Sequence, residues 1–185
     1  MRRASATVLA ILISLALPNL SKAGDTADIT AYVKIQKLSV NVSPTSYNFG
    51  VMLPGGVEVA SSYIAVTNNG NVAEKFKLWI PQEPNGTWTS VTDGTVDAEE
   101  YRLSAIFKDA QPISDDYGFE DSFSVSTERI ASGSDLARSA DPDGEKGFNV
   151  AKDGWRKLWF KFEAPSFTEI ITQQSITVRV AATPD

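Results

Sequence analysis

The chain is dominated by short runs in which apolar and polar side chains alternate, and this periodicity limits it to a fold made of strands. Alternation puts one side of each run on a buried sheet face and leaves the other side in solvent. After residue 23 the prolines lie between these runs and never within them, as expected for a residue that removes a ladder donor. We therefore predict an all-β chain. The predicted strands are residues 29–36, 38–42, 57–59 together with 62–67 as one strand, 72–80, 101–107, 155–162 and 175–181.

Residues 1–23 have the pattern of a signal peptide. A pair of arginines precedes an apolar stretch of about 11 residues, which is shorter than the roughly 20 residues needed to span a bilayer. Ser21 and Ala23 then supply small side chains at the −3 and −1 positions of a cleavage site. We predict cleavage after Ala23 and export of residues 24–185 to the periplasm, the cell surface or the extracellular space. No transmembrane segment is expected after cleavage.

The composition excludes several classes of function. The sequence has no Cys and no His, so a disulfide, a thiolate nucleophile, a Ser-His-Asp triad and an ordinary zinc site are all ruled out. A formal net charge of −6 opposes general nucleic-acid binding, because phosphate attraction requires a basic surface. The chain also lacks a Gly-x-Ser-x-Gly motif, a Ser-x-x-Lys motif and a phosphate loop. We expect a protein that is not an enzyme.

Residues 108–154 stand apart as an acidic, partly irregular insertion with 11 acidic and 5 basic side chains. Carboxylate oxygens suit calcium, and Asp141, Asp143 and Glu145 form the best candidate set of ligands. An EF-hand alignment fails there because Val150 falls where the bidentate Glu is required. The alternative interpretation is a solvated acidic loop. No other cofactor is indicated.

Three tryptophans form a second candidate site. Trp79, Trp155 and Trp159 alternate with lysines in two predicted strands, so they leave the faces that carry the core residues. Tryptophan on an outer face can stack on sugar rings or anchor a partner protein. The alternative is that the insertion, or the loop around Trp88, covers them as a satellite cluster.

One part of the chain is similar to a known family. Ser43-Pro44, Tyr47-Asn-Phe-Gly50, Gly56, Ile64-Ala-Val-Thr-Asn-Asn-Gly-Asn71 and Phe76-Lys-Leu78 together resemble the opening of the ASPM/SPD-2/Hydin-like immunoglobulin-fold domains and their bacterial secreted relatives. The match covers about 40 residues, the first three or four strands of such a sandwich. The resemblance implies that residues 24–185 form a single immunoglobulin-like β-sandwich used as a spacer or interaction module.

These features favour an exported structural or adhesive module of the cell envelope or extracellular space. Its expected partners are envelope or surface proteins. The segment Ile29–Gln36 is expected to add a strand within its own sandwich, since sequential strands usually lie together. The alternative is self-association, in which the segment is donated to a neighbouring subunit. A ligand-binding module is the alternative function, with carbohydrate on the tryptophans or calcium in the insertion.

Overall fold

The computed structural model describes residues 29–85, 88–136 and 146–185, and these residues form an all-β structure. The chain divides into two units, Met1–Lys34 and Ile35–Asp185, and the ten strands found among the described residues belong to the second unit. Within the described ranges, no helix has the length and apolar character needed to cross a membrane. The strands are β1 (Val40–Ser43), β2 (Val57–Val59), β3 (Ile64–Asn68), β4 (Glu74–Trp79), β5 (Thr89–Ser90), β6 (Glu100–Phe107), β7 (Ser122–Phe123), β8 (Arg129–Ile130), β9 (Trp155–Glu163) and β10 (Arg179–Pro184).

The larger sheet is organised around β9. Its strand order is β1-β3-β9-β6-β5, with β2 also paired to β9 and β7 paired to β6. Every pair in this sheet is antiparallel except β5 with β6, which is parallel. The long pairing of β9 with β6 joins Leu158–Glu163 to Arg102–Phe107. β9 therefore has hydrogen-bonded neighbours along both of its sides.

The smaller sheet has the order β10-β4-β8. β4 pairs along its whole length with β10, and Lys77 and Leu78 pair with the short strand β8. Phe76 and Leu78 are fully buried, whereas Lys75 and Lys77, which alternate with them, are only half-buried. The alternation predicted for this strand is confirmed.

The two sheets share one hydrophobic core. The rings of Phe76 in β4 and Phe107 in β6 lie 5.7 Å apart, and those of Tyr101 and Phe162 lie 5.9 Å apart. Full burial of a large apolar side chain contributes roughly 1.5–3 kcal/mol, so these residues dominate the packing energy. The core also includes Leu78, Ile80, Phe123, Leu136, Val150 and Leu158.

The turn after β3 does not form the hairpin that its sequence favours. Asn68-Asn69-Gly70-Asn71 has the sequence of a tight hairpin, but β3 and β4 belong to different sheets. The buried Asn68 amide donates to the carbonyl oxygens of Val72 and Val150, both at 2.8 Å, and its Oδ1 accepts from Gly70 N at 2.7 Å. Because these bonds satisfy the backbone without a strand ladder, the chain can cross from one sheet to the other.

We call residues 68–74 the crossing corner. The buried carboxylate of Glu74 accepts a hydrogen bond from Ser39 N at 2.8 Å. The Asn71 side chain accepts from Lys37 N and donates to the carbonyl oxygen of Ile35, both at 2.8 Å. The corner therefore holds the chain that leads into β1.

The predicted strand at Ile29–Gln36 is not formed. Residues 29–39 lie in no strand, and β1 begins only at Val40. Residues 35–39 instead follow the crossing corner, where Asn69 N also donates to Ser39 O at 2.7 Å. The side chains of Asn71 and Glu74, together with backbone amides of the corner, satisfy these residues in place of a strand ladder.

The acidic insertion is part of the fold and not only a cover. Its residues Phe123, Leu136 and Val150 are buried in the shared core, and β8 extends the smaller sheet. Phe107 N donates to Leu136 O at 2.9 Å, so the insertion also closes the end of β6. Two 3₁₀ turns, Ser114–Asp116 and Phe119–Asp121, precede β7.

Gly70→Ala should destabilise the protein because the crossing corner leaves no space for a side chain. A Cβ at Gly70 would lie 2.5 Å from Lys37 O and closer still to the Glu74 carboxylate. We expect the free energy of unfolding, measured by urea denaturation, to fall by about 2 kcal/mol. Gly133→Ala is the matched control because a Cβ there meets open space. Equal stability of the two variants would contradict the geometry of the corner.

Candidate functional site

Trp155 and Trp159 lie on the face of β9 that points away from the core. Leu158, Phe160 and Phe162 between and after them are core residues, as the alternation of the strand predicts. The larger sheet therefore carries two tryptophans on its outer face.

Tyr63, which precedes β3, joins the two tryptophans into one cluster. Its ring stacks on Trp155 with centroids 6.2 Å apart and planes at 24°, and it meets Trp159 edge-on at 5.6 Å. Lys157 Nζ lies 5.5 Å from the centre of the Tyr63 ring and donates to Asp109 O at 2.9 Å. We call Tyr63, Trp155, Lys157 and Trp159 the aromatic face.

The members of the aromatic face differ in burial. Trp159 is 5% exposed, and its indole N–H donates to Lys108 O at 2.7 Å. Trp155 is 44% exposed and Tyr63 39% exposed. The aromatic face thus consists of the buried Trp159 and the more exposed rings of Tyr63 and Trp155, which pack together beside it.

Trp79 does not join this cluster. It lies in β4 of the smaller sheet, half-buried between two cations. Lys77 Nζ is 5.0 Å and Arg179 Cζ is 5.7 Å from the centre of its ring. Lys77 is also paired with Glu128 at 2.9 Å. The structure therefore brings together two of the three tryptophans singled out from the sequence and places the third on the other sheet.

The predicted calcium ligands Asp141, Asp143 and Glu145 lie outside the described residues. Among the residues that are described, no group of three or more carboxylates is arranged to hold a metal ion. Two other acidic residues of the insertion have structural partners. Asp116 pairs with Lys108 Nζ at 2.7 Å, and Asp121 accepts from Gly118 N at 2.9 Å.

The sequence did not predict a cluster of charged residues beside the aromatic face. Arg102 and Lys161 both pair with Glu163, at 3.0 Å and 3.1 Å, and line a cavity of about 160 Å³ with Tyr117 and Phe119. Lys161 Nζ lies 5.4 Å from the Tyr117 ring, and the Arg102 guanidinium lies 5.1 Å from the Phe119 ring. Alternation places Lys161 and Glu163 on the outer face of β9, but nothing in the sequence shows that the 3₁₀ turns fold over them.

Burial controls the protonation of Tyr117. Desolvation, followed by the negative charges of Asp121 and Asp116, raises the pKa of this phenol far above its ordinary value of 10.0. Its hydroxyl is buried and has no hydrogen-bond partner among the described residues. The folded state therefore favours the neutral phenol, and the associated stability is present below pH 10 and lost as pH rises above it.

Tyr117→Phe should remove this pH dependence without unfolding the protein. At pH 7 we expect the free energy of unfolding to change by less than about 1 kcal/mol, because the lost hydroxyl has no partner to leave behind. Between about pH 10 and 11 the variant should lose less stability than the wild type. Urea denaturation at both pH values measures this, with the exposed Tyr32→Phe as control. A loss above about 2 kcal/mol at pH 7 would show that the hydroxyl is bonded.

Comparisons with known proteins assign no relative. No family model, no curated protein and no solved structure matches the chain. The functional assignment therefore depends on the geometry of the aromatic face and of the sheet edges.

Proposed function

We propose that this chain is an exported, non-catalytic structural or adhesive interaction module of the cell envelope or extracellular space, built as an immunoglobulin-like sandwich. The observation that carries the proposal is the open ring pair of Tyr63 and Trp155 on the outer face of the larger sheet. The sandwich assignment is supported by two sheets sharing one core and by the crossing of the chain from β3 to β4 between them.

The ring pair has the properties of an interface anchor. Tyrosine and tryptophan are enriched among the residues that dominate binding energy, because they bury a large rigid surface at a low entropic cost. Here the pair is already fixed before binding, since Trp159 packs beneath Tyr63 and Lys157 lies against its ring. Preorganisation of this kind reduces the cost of ordering side chains on association.

The neighbouring charged groups support a non-catalytic role. Glu163 is shared by Arg102 and Lys161, and Asp116 is paired with Lys108. Paired carboxylates of this kind hold loops and strands in place. These ion pairs hold the two 3₁₀ turns against the outer face of the larger sheet. The contacts of Lys161 and Arg102 with aromatic rings have the same effect.

Carbohydrate binding is the second candidate function, and the same ring pair favours it. The exposed parts of these two stacked rings offer apolar ring surface against which a sugar ring can pack. A glycan would need only Tyr63 and Trp155, whereas a protein partner would also cover the rim of the sheet.

Site-specific photo-crosslinking tests the proposal. A photoreactive amino acid replacing Tyr63, in the full chain expressed in its source cell, should join an envelope or surface protein or a second copy of the chain. Trp155→Ala in the same chain should reduce the crosslinked product at least tenfold, the loss expected when a binding anchor is truncated. The exported chain recovered from these cells should begin at or near Gly24.

Glu58 supplies the control position because it is exposed on β2, away from the aromatic face. Equal crosslinking from Glu58 and Tyr63, or a chain retained in the cytoplasm with Met1 intact, would contradict the proposal. Binding of a soluble glycan that depends on Trp155, with no protein crosslinked, would establish the second candidate in its place.

A further inference from the structure

The N-terminal segment 29–36 is a strand former without a strand. Its sequence Ile-Thr-Ala-Tyr-Val-Lys-Ile-Gln alternates like the other strands of the protein, yet it belongs to no sheet among the described residues. Ile29, Tyr32, Val33 and Ile35 are between 74% and 94% exposed. A segment with exposed apolar side chains at alternate positions is stabilised when it adds to a sheet edge, because both its side chains and its backbone find partners there.

The free edge of β10 is the matching acceptor. In the described part of the chain, β10 is hydrogen-bonded to β4 on one side and to no strand on the other, although β1 also lies close to it. Residues 175–178, just before β10, continue its alternation but pair with no strand. Ile176, Val178 and Val180 pack on the core but remain only partly buried. This margin of the core is incompletely covered.

The two segments correspond in length and pattern. Each has four apolar residues at alternate positions, Ile29, Ala31, Val33 and Ile35 in the first and Ile176, Val178, Val180 and Ala182 in the second. An eight-residue strand is about 26 Å long, which matches the length of an extended segment from residue 175 to residue 182.

The chain direction favours a second copy as the partner. Pro184, at the end of β10, lies opposite Glu74 in the crossing corner, and that corner also holds Ile35 and Lys37. To lie along its own β10, the chain would have to reverse direction immediately before Ile35. Residues 29–34 contain no Gly, Pro, Asn or Asp for such a turn.

We propose that residues 29–36 of one copy add as an extra strand to the free edge of β10 in a second copy. The inference rests on the proposed role as an interaction module and names a partner for it. Each chain carries both the donor segment and the acceptor edge, so the contact is heterologous. Such contacts generate a closed ring or an open filament.

A synthetic peptide of residues 29–36 tests donor and acceptor separately. The donor segment is removed from the chain starting at Gly24 by deleting residues 24–34, which leaves the crossing corner and its bonds to Ile35 and Lys37 intact. The labelled peptide should bind this shortened chain, measured by fluorescence anisotropy. The same peptide with Val33→Pro should bind at least tenfold more weakly, because proline removes a ladder donor.

Engineered cysteines locate the contact, since the chain has none of its own. Chains with Thr30→Cys, mixed with chains carrying Ser175→Cys, Thr177→Cys or Arg179→Cys, should form disulfide-linked dimers. Thr89→Cys, on β5 at the far side of the larger sheet, is the control and should form none. Light scattering should show assemblies of the chain starting at Gly24 and monomers of the shortened chain.

Several results would overturn the inference. The first three are assembly of the shortened chain, equal binding of the two peptides, and equal crosslinking at Thr89. The fourth is that the chain starting at Gly24 stays monomeric at 100 times the concentration used for crosslinking. If any of these holds while Tyr63 still crosslinks an envelope protein, strand addition fails and the proposed function stands. If crosslinking at Tyr63 also fails, both are rejected.

Discussion

Glu74 and Asn68 hold together parts of the protein that are far apart in sequence. Both side chains are fully buried, and their hydrogen bonds reach the chain before β1, the loop after β3 and the insertion at Val150. A buried polar group that loses its partner costs free energy, so the bonds of this corner must form together. Backbone bonds in both directions between Glu74 and Val150 close the same corner from the insertion side.

The architecture follows from this crossing. Since β3 ends and β4 begins at the corner, the chain leaves the larger sheet and starts the smaller one within six residues, and the apolar sides of both strands meet in one core. Gly70 is required there because Lys37 and Glu74 occupy the space of a side chain. The chain before β1 is held at Ile35 and Lys37. The apolar side chains that precede Ile35 are exposed.

Local periodicity was sufficient to predict most of the strands. In β4, β6 and β9 the inward side chains are those that alternation assigns to the core, and Trp155 and Trp159 leave the core face as expected. The sequence Asn68–Asn71 favours a tight hairpin, but none forms because side-chain hydrogen bonds of Asn68 satisfy the turn and the chain crosses to the other sheet. Tyr63 was missed because its role depends on β3 pairing with β9, residues more than 80 positions apart. The burial of Trp159 likewise depends on a carbonyl oxygen from Lys108, at the start of the insertion.

Residue-resolved hydrogen exchange at the crossing corner tests the account most directly. The amides of Ser39 and Gly70 donate to side chains of the corner, and the amide of Glu74, in the corner, donates to Val150 O. The amide of Ile106 lies in the centre of the larger sheet. If the corner forms as one cooperative unit with the core, the three corner amides should exchange only through global unfolding, with the same opening free energy as Ile106. Exchange of the corner amides a hundredfold or more faster than Ile106 would show that the corner opens locally and that the fold does not depend on it.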